Sequence, residues 1–460
     1  MKSRVEKHHL DKLRSQLPHI PLVLPDSPDY PASISRWNPR NERKAGAVAF
    51  PSSATDVSQL ICFARHHLLQ IAVKGGGQGN RGSSTNGGLC IDLSKMRSVT
   101  VDPSGPRVIA DGGAVWSDVY EAISKHRLAV VSGISPSVGV GGLSLHGGHG
   151  WLTGAHGLAV DQILEVEVVL ADGNIICTSE TENPSLFWAV RGAGGAFGVI
   201  TKFFLRAFEQ PNDVWTGRFV LHGGHDNLKA IVNVSNLLMS LFTRKGEGTP
   251  PGVAAMYWGW SAAQPGTEPT IWAIPWYNGS EVEAKKIFAP LFHCTSVVQS
   301  TKVVPFTGAV VSSAGTPGKT LRKFSHGSAI MAPLDISFFQ NLYHDYLQFT
   351  SEIPDAAQRT LVMFEVHHPE ATMKKGQTET AYANRGNQIN VQVAATWTER
   401  ENDAICEDWC RKFTGAMATE FQQRKQQVGI DALTKDSVGI CPNYDGRSPI
   451  IKSCNSGFSC

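Results

Sequence analysis

The order of apolar and polar residues over the first 210 positions predicts alternating helices and strands. Residues 57–64 place apolar side chains at the spacing of one helical face, and residues 116–123 repeat that pattern. Residues 163–170 alternate apolar and acidic side chains, as a half-buried strand does, and Ala171-Asp-Gly-Asn174 is a turn sequence that closes this strand into a hairpin. Residues 199–206 predict a further strand.

After residue 210 the pattern becomes one of aromatic strands with helices between them. The predicted strands are residues 214–221, 253–260, 270–276, 360–367 and 388–397. The predicted helices are residues 228–241, 282–292 and 336–349. This order is typical of an antiparallel sheet covered on one face, so we expect an α+β fold with a domain boundary near residues 209–213.

Composition excludes several classes of protein. The chain has 460 residues, of which 42% are hydrophobic and 18% charged, which is typical of a folded protein of two or three domains. A net charge of +2 gives no field that would attract nucleic acid or an acidic membrane. The nine cysteines are scattered and odd in number, which argues against a disulfide framework. The first residues lack an apolar signal region, and the apolar stretch 158–171 contains three acidic residues, so we expect a cytoplasmic protein without a membrane span.

Glycine indicates where a ligand binds. Of 45 glycines, 24 fall between residues 75 and 198. They gather in four clusters, at residues 74–80, 138–142, 146–150 and 191–198. One such cluster is usually a tight turn, whereas four within one domain favour a ligand held by backbone N–H groups.

Several familiar motifs fail when they are tested against their structural context. Gly77-Gln-Gly-Asn-Arg-Gly82 matches the Rossmann glycine pattern, but no helix-forming sequence follows and Asp92 comes too early for the ribose contact. Ser313–Thr320 is a near match to a phosphate-binding P-loop without a preceding strand, and we interpret it as part of a loop.

No metal site is predicted. Cys406 and Cys410 lie four apart on a predicted helix, but zinc would need two more ligands, and half-buried thiols are the simpler interpretation. His367 and His368 could bind a metal, although a His pair at a strand end is usually structural. No Gly-x-Ser-x-Gly elbow is present, so an α/β-hydrolase is unsupported.

The glycine clusters occur in an order that resembles the FAD-linked oxidases with a vanillyl-alcohol-oxidase type (PCMH-type) FAD-binding domain. Within these, the sequence is most similar to the fungal berberine-bridge-enzyme-like branch. The matching stretches are residues 47–57, 73–80, 88–96, 135–150, 157–161, 183–188 and 191–201. Weaker similarity continues through residues 365–367 and 384–392 and at Asn443-Tyr444.

The resemblance implies a two-subdomain α/β FAD-binding domain, followed by an antiparallel-sheet substrate domain covered by helices. FAD would lie extended, with its pyrophosphate against the first glycine loop, whose N–H groups neutralise it without a basic side chain. The flavin ring would face the substrate domain. The implied cofactor-binding residues are Gly75, Gly76, Gly77, Gln78, Gly79, Asn80, Ser135, Ser137, Val138, Gly141, Gly142, Gly147, Gly148, Asp161, Gly198, Ile200 and Asn443.

Departures from the family pattern change the expected chemistry. Many relatives bind FAD covalently through a His in the first loop and some through a Cys in the second, where this chain has Gln78 and Ser135. We therefore predict noncovalent FAD, and a weaker oxidant than the relatives with two covalent links. His146 replaces a common glycine and could crowd its loop. Val138 lies where the family controls access of oxygen, and its small size favours an oxidase over a dehydrogenase.

The C-terminus departs further, because the family's last helix has no counterpart after Asn443-Tyr-Asp-Gly446. We predict an N-terminal extension over residues 1–42, the FAD-binding domain over 43–210 and the substrate-binding domain over 211–435. Residues 436–460 would form an atypical or truncated return to the FAD domain.

The resemblance implies an FAD-dependent oxidase of a small organic molecule, in secondary metabolism, with hydride transfer to flavin N5 and reoxidation by O2. The candidate catalytic residues are Glu365, Gln392, Tyr382 and Tyr444. Glu365 would be a base with a raised pKa in a half-apolar pocket, or it would pair with Arg385 or a lysine. Two alternatives stay open: a cyclase that keeps FAD without net redox change, and a degenerate protein without FAD.

Overall fold

The computed structural model describes residues 4–79, 83–102, 105–241, 252–261, 269–312, 321–357 and 359–427. The chain forms two compact units that are interlaced in sequence. The first unit comprises residues 1–148, 159–209 and 380–382, and the second comprises residues 149–158, 210–379 and 383–460. No helix in the described part of the chain is long and apolar enough to cross a membrane.

The first unit alternates helices and strands from its N-terminus. Its helices are α1 (Lys7–Gln16), α2 (Tyr30–Ile34), α3 (Ala54–His66), α4 (Trp116–Ile123), α5 (Val140–Ser144) and α7 (Pro184–Ala193). Its strands are β1 (Leu22–Val23), β2 (Ala47–Ala49), β3 (Ile71–Lys74), β4 (Leu89–Asp92), β5 (Val99–Asp102), β6 (Arg107–Asp111), β7 (Leu128–Ala129), β8 (Ile163–Val169), β9 (Ile175–Ser179), β10 (Val199–Arg206) and β11 (Phe208–Glu209).

Two larger sheets organise the described part of this unit, and β7 pairs with β11 in a separate two-stranded sheet. The described strands of the first run in the order β1-β2-β4-β3, with β2, β4 and β3 parallel. The second, in the order β5-β6-β10-β8-β9, is antiparallel. The first glycine cluster follows directly after the C-terminal end of the parallel strand β3. Ligands commonly bind at this end of parallel strands in α/β proteins.

The local sequence explains these elements. In α3 the predicted apolar face is buried, and the Ser53 side chain caps the helix by accepting from the Asp56 N–H at 3.1 Å. The predicted hairpin is confirmed, since β8 pairs with β9 and Gly173 in the turn has φ +89°.

The second unit is built on one large antiparallel sheet. Its strands are β12 (Val214–His222), β13 (Ala254–Ser261), β14 (Thr270–Tyr277), β15 (Ser296–Val304), β16 (Arg322–Ile330), β17 (Leu361–Val366) and β18 (Ile389–Trp397). Among the described residues their order is β15-β12-β14-β13-β17-β18-β16. Its helices are α6 (Thr153–His156), α8 (His225–Leu241), α9 (Glu281–Ile287), α10 (Ala289–Phe292), α11 (Phe306–Ser312), α12 (Ile336–Glu352), α13 (Pro354–Ala357), α14 (Glu370–Met373) and α15 (Asp403–Gln427).

The two faces of this sheet differ in chemistry. One face, here called the helix face, presents residues such as Trp258, Phe364 and Val391 to a core shared with α8, α12 and α15. The residues between them point to the opposite face, because successive side chains alternate across a strand. That opposite face carries Tyr257, Glu365, Asn390 and Gln392 and is called the polar face below.

The strands and helices predicted after residue 210 are all present, which confirms the α+β fold. Two strands were missed. β15 is an exposed edge strand, and β16 mixes basic, polar and apolar side chains, so neither has the pattern of a half-buried strand. Residues 313–319 of the predicted loop lie outside the described residues.

Candidate functional site

In the first glycine loop, residues 75–79, two backbone carbonyls accept hydrogen bonds from the protein, whereas most of the backbone N–H groups donate to no backbone carbonyl among the described residues. The carbonyl of Gly77 accepts a hydrogen bond from the Trp37 N–H at 3.1 Å, and the carbonyl of Gly79 accepts one from Asn41 Nδ2 at 3.5 Å. Within the described residues, the N–H groups of residues 76–79 donate to no backbone carbonyl. Consecutive N–H groups without a backbone acceptor can form an anion-binding concavity.

A second loop, residues 135–142, lies directly against the first. A Cβ on Gly76 would lie 2.5 Å from the backbone nitrogen of Gly139, and one on Gly139 would lie 2.7 Å from the nitrogen of Gly76. Glycine is required at both positions, because any side chain would force the two backbones apart. By contrast, a Cβ on Gly142 would meet nothing within 4 Å.

The two positions where relatives attach flavin converge on one hydroxyl. Gln78 Nε2 donates to Ser137 Oγ at 2.7 Å, and Ser135 Oγ lies 3.4 Å from the same atom. The structure therefore brings three of the predicted cofactor residues together at the contact between the first and second loops.

The third glycine cluster is held by Tyr382. Gly147 and Gly148 have φ of +102° and +80°, and a Cβ on Gly147 would lie 2.5 Å from the Tyr382 ring. The Tyr382 N–H donates to the Arg191 carbonyl at 3.0 Å, so residues 380–382 pack within the first unit although they lie far along the chain. The structure gives Tyr382 a packing role beside this loop.

His146 does not crowd its loop. Its Nδ1 lies 2.9 Å from the carbonyl of Gly142, and its ring occupies the space where a Cβ on Gly194 would be. Burial lowers the pKa of His146, partly offset by this hydrogen bond. The imidazole is therefore neutral at physiological pH.

The remaining predicted cofactor residues lie around these loops. Val138 accepts from the Trp116 N–H, Gly141 packs against Phe203, and Gly198 packs against the Val169 carbonyl. Ile200 packs its carbonyl against Gly112, and Asp161 lies in a 3₁₀ turn at residues 159–162. Asn80 and Asn443 lie outside the described residues.

These features fit FAD. The loop of open N–H groups suits a pyrophosphate, and Gly142 leaves room for a ligand beside the second loop. The hydroxyls of Ser84, Thr85 and Ser144 are buried without a hydrogen-bond partner among the described residues, as expected where a polar ligand belongs.

In the second unit, the register aligns three polar side chains across neighbouring strands. Tyr257 pairs with Glu365, and Glu365 pairs with Asn390, so the three form a row on the polar face. Gln392 lies two positions further along β18 on the same face, and its Nε2 donates to Ser325 Oγ at 3.2 Å. The structure thus brings Glu365 and Gln392 together, whereas Tyr382 belongs to the first unit and Tyr444 lies outside the described residues.

Burial strengthens the electrostatic interaction between Tyr257 and Glu365 in this row. Glu365 is 2% exposed and Tyr257 is 1% exposed. Burial raises the pKa of Tyr257 well above its usual value, and the Glu365 charge raises it further. Arg385 is also buried, at 2% exposed, and its Nη1 donates to the Thr372 carbonyl at 3.5 Å.

Two histidines stack beside the row. The rings of His149 and His367 are 5.5 Å apart and nearly parallel. Burial lowers the pKa of His367 to about 4. Burial, His367 and Arg385 together hold the pKa of His149 well below 6.5, so both rings are neutral at pH 7. The described residues contain no cluster of three or more His, Cys, Asp or Glu side chains arranged to hold a metal ion.

Residues 149–158 are an insertion of the first half of the chain into the second unit. Trp151 packs edge-on against Tyr257 at 4.6 Å and stacks near Trp276 at 5.9 Å. The sequence singled out neither His149 nor Trp151, whereas Tyr257 is one of the strand aromatics that suggest a bulky aromatic substrate. Trp151 follows the third glycine cluster directly, but that adjacency does not reveal which unit it packs into.

Comparisons with known proteins agree with this geometry. Residues 45–179 match the family model described as FAD binding domain. The FAD-linked oxidoreductase pgmH of Aspergillus terreus is 34% identical over 302 residues, which cover 63% of this chain and 58% of that protein. The (R)-6-hydroxynicotine oxidase of Paenarthrobacter nicotinovorans is 39% identical over 197 residues, 43% of each chain. The chain therefore spans about half the length of these relatives.

A solved structure shows the same fold over nearly the whole chain. BBE-like 1 of Physcomitrella patens superposes with a TM-score of 0.80 at 16% identity, covering 97% of this chain and 93% of that one. The expected PCMH-type FAD-binding fold with an antiparallel second sheet is confirmed. From its glycine loops, its family-model match and its fold, the chain contains an FAD binding domain over residues 45–179, is similar in sequence to FAD-linked oxidoreductases, and shares the fold of a BBE-like protein.

Proposed function

We propose that this protein is an FAD-dependent oxidase that converts a C–H bond next to a hydroxyl or amine in a small organic molecule into a C=O or C=N bond. FAD held by the first and second glycine loops would supply the hydride acceptor for this oxidation and the means of passing two electrons to O2, with hydrogen peroxide as the reduced product. The carrying observation is the buried row Tyr257–Glu365–Asn390 on the polar face. The fungal relatives favour a substrate from secondary metabolism.

In this proposal Glu365 takes the proton that leaves the substrate O–H or N–H while the hydride leaves the adjacent carbon. The carboxylate is 2% exposed, so water does not compete for that proton. Asn390, which pairs with Glu365 across β17 and β18, orients the substrate by hydrogen bonding. Tyr257 stays protonated because of its raised pKa, and it therefore acts as a hydrogen-bond donor.

The residues beside the row favour a neutral, largely aromatic substrate. Trp151 provides an indole group against Tyr257, and Trp276 stacks near Trp151. His149 and His367 are neutral at pH 7 and therefore provide no charge for an anionic substrate. An uncharged ring system bearing one hydroxyl or amine suits these groups.

We propose that FAD is bound noncovalently. An amide at Gln78 and a hydroxyl at Ser135 form neither the histidyl nor the cysteinyl link of relatives, and both side chains instead lie at Ser137 Oγ. The test is acid precipitation of the purified yellow protein, after which the flavin should appear in the supernatant. Colour that stays in the pellet would show a covalent link and overturn this part.

Anaerobic mixing tests the oxidase itself. Holoenzyme is mixed with a panel of aromatic secondary alcohols and amines, and visible flavin absorbance is followed. A member of the panel should bleach the flavin, and admission of O2 should restore the absorbance with one peroxide per product. Product formed without O2 consumption would contradict the oxidase and support a cyclase. A colourless protein that takes up no FAD would contradict both and support a degenerate protein.

A further inference from the structure

Arg36 is buried behind the first glycine loop. It is 3% exposed, and it belongs to the segment expected to be a mere N-terminal extension. Its Nε donates to the Ser83 carbonyl at 3.0 Å, its Nη1 to the Ser35 carbonyl at 2.9 Å and its Nη2 to the Cys90 thiol at 3.5 Å. Nη1 also donates to the Ser33 carbonyl at 3.3 Å.

The dipeptide Arg36-Trp37 fixes the backbone on both sides of this loop. The Trp37 N–H holds the Gly77 carbonyl at 3.1 Å, while the Arg36 guanidinium holds the Ser83 carbonyl. The Arg36 Cδ also lies 3.8 Å from the place where a Cβ on Gly77 would be. With its carbonyls turned toward this segment, the loop leaves its N–H groups for an anion.

The charge of Arg36 has no carboxylate partner within the described part of the chain. Glu42 accepts from the backbone N–H of Arg36 at 3.0 Å, and the guanidinium's own acceptors are carbonyls and a thiol. The other cation behind Gly77, Lys74, is paired with Asp92 at 2.9 Å. A buried cation without a counter-charge is costly, so a nearby dianion would stabilise it.

We propose that Arg36 is a positioning residue for the cofactor: it holds the loop in its anion-binding form, and its buried charge favours the pyrophosphate of FAD. The proposal rests on the proposed function only in that FAD is the ligand. It differs from the expectation that backbone N–H groups alone neutralise the pyrophosphate. It also gives the N-terminal segment a function.

Three variants test this role. Arg36→Met removes the charge and the donors, and Arg36→Lys keeps the charge but not the planar group of donors. The matched control is Arg43→Met, because Arg43 is exposed and its guanidinium donates to the carbonyls of Arg40 and Glu42. Each apoprotein is titrated with FAD, and flavin fluorescence gives Kd.

We expect Arg36→Met to raise Kd at least about tenfold, since charge-assisted hydrogen bonds are of that strength. Arg36→Lys should fall between Arg36→Met and the wild type, and Arg43→Met should stay within about twofold of the wild type. A wild-type Kd in both Arg36 variants would overturn the proposal, and if Arg36→Met does not fold, Arg36→Lys alone decides.

Thermal unfolding separates positioning from a purely structural role. FAD raises the Tm of a protein that binds it only when folded. We expect Arg36→Lys to reduce this FAD-induced rise more than it lowers the Tm of the apoprotein. An equal fall of both Tm values would show a structural role only. A wild type that binds no FAD would refute the proposed function instead.

Discussion

The glycine loops of the first unit and the polar face of the second unit use different chemical groups. The loops present backbone N–H groups, and their side chains are mostly absent because Gly76 and Gly139 approach each other too closely. The polar face presents side chains aligned by strand register, with Tyr257, Glu365 and Asn390 in one row. A backbone site suits a cofactor whose phosphates are always the same, whereas a side-chain site is readily changed for a new substrate.

The largest effect is expected at the contact between the two loops. In Gly76→Val the new Cβ would lie 2.5 Å from a backbone nitrogen, which cannot move aside cheaply. We expect purified Gly76→Val to contain no flavin, measured as the ratio of visible flavin absorbance to protein absorbance. Gly195→Ala is the control, since its Cβ would meet nothing within 4 Å. Wild-type flavin content in Gly76→Val would show that the backbone contact is not needed.

On the polar face, removal of the base should lower turnover without releasing the cofactor. Glu365→Gln keeps the shape of the side chain and should lower kcat by about 10²–10⁴-fold, the usual contribution of a general base. Flavin content should be unchanged. The matched control is Glu281→Gln on the surface, where Glu281 pairs with Lys285. Unchanged kcat in Glu365→Gln would remove the base assignment.

Substitutions of neighbouring residues on the two faces of the second sheet should lower the free energy of unfolding by very different amounts. Trp258 on the helix face is fully buried and stacks on Phe364 at 4.3 Å, so Trp258→Ala should cost about 3–5 kcal/mol in the free energy of unfolding. Tyr257→Phe should cost less than about 1 kcal/mol, because its hydroxyl has no partner among the described residues. Urea unfolding measures both, and kcat/KM should fall in Tyr257→Phe. A large stability loss in Tyr257→Phe would show that the Tyr257 hydroxyl stabilises the fold, and that this face is ordinary protein core rather than a substrate site.

The last prediction concerns the pH dependence of stability, and its effect is confined to acidic pH. The pKa of His367 is about 4 in the fold against 6.5 when exposed, so the unfolded chain binds the proton more tightly. The stability contribution is complete above about pH 6.5 and is lost as pH falls toward 4, by up to about 3 kcal/mol. His367→Asn should flatten this part of the stability profile, while His293→Asn, on the surface, should not. Equal slopes in all three proteins would contradict the burial of a neutral His367.

The close backbone contact of the glycine loops could be predicted from sequence because glycine itself is the signal. Clusters such as residues 74–80 mark close backbone approaches wherever they lie in the fold. The polar face could be predicted only in part. Glu365 and Gln392 came from the resemblance, but Tyr257 and Asn390 join them through strand register, which depends on pairing between distant segments.

Arg36 shows a further limit. Nothing in the local sequence distinguishes it from Arg40 or from the exposed Arg43, since its contacts are with Ser83 and Cys90, 47 and 54 positions further along the chain. A long buried cation in a segment without regular structure has no periodicity to reveal it.

The interlacing of the two units bears on how the chain is made. A ribosome releases residues 1–209 long before residues 380–382, yet Tyr382 supplies the packing partner of Gly147 and Gly192. The nascent first unit therefore lacks this packing partner at its third glycine cluster until most of the second unit has been synthesised. A chain broken off near residue 209 would lack the Tyr382 ring that packs against Gly147.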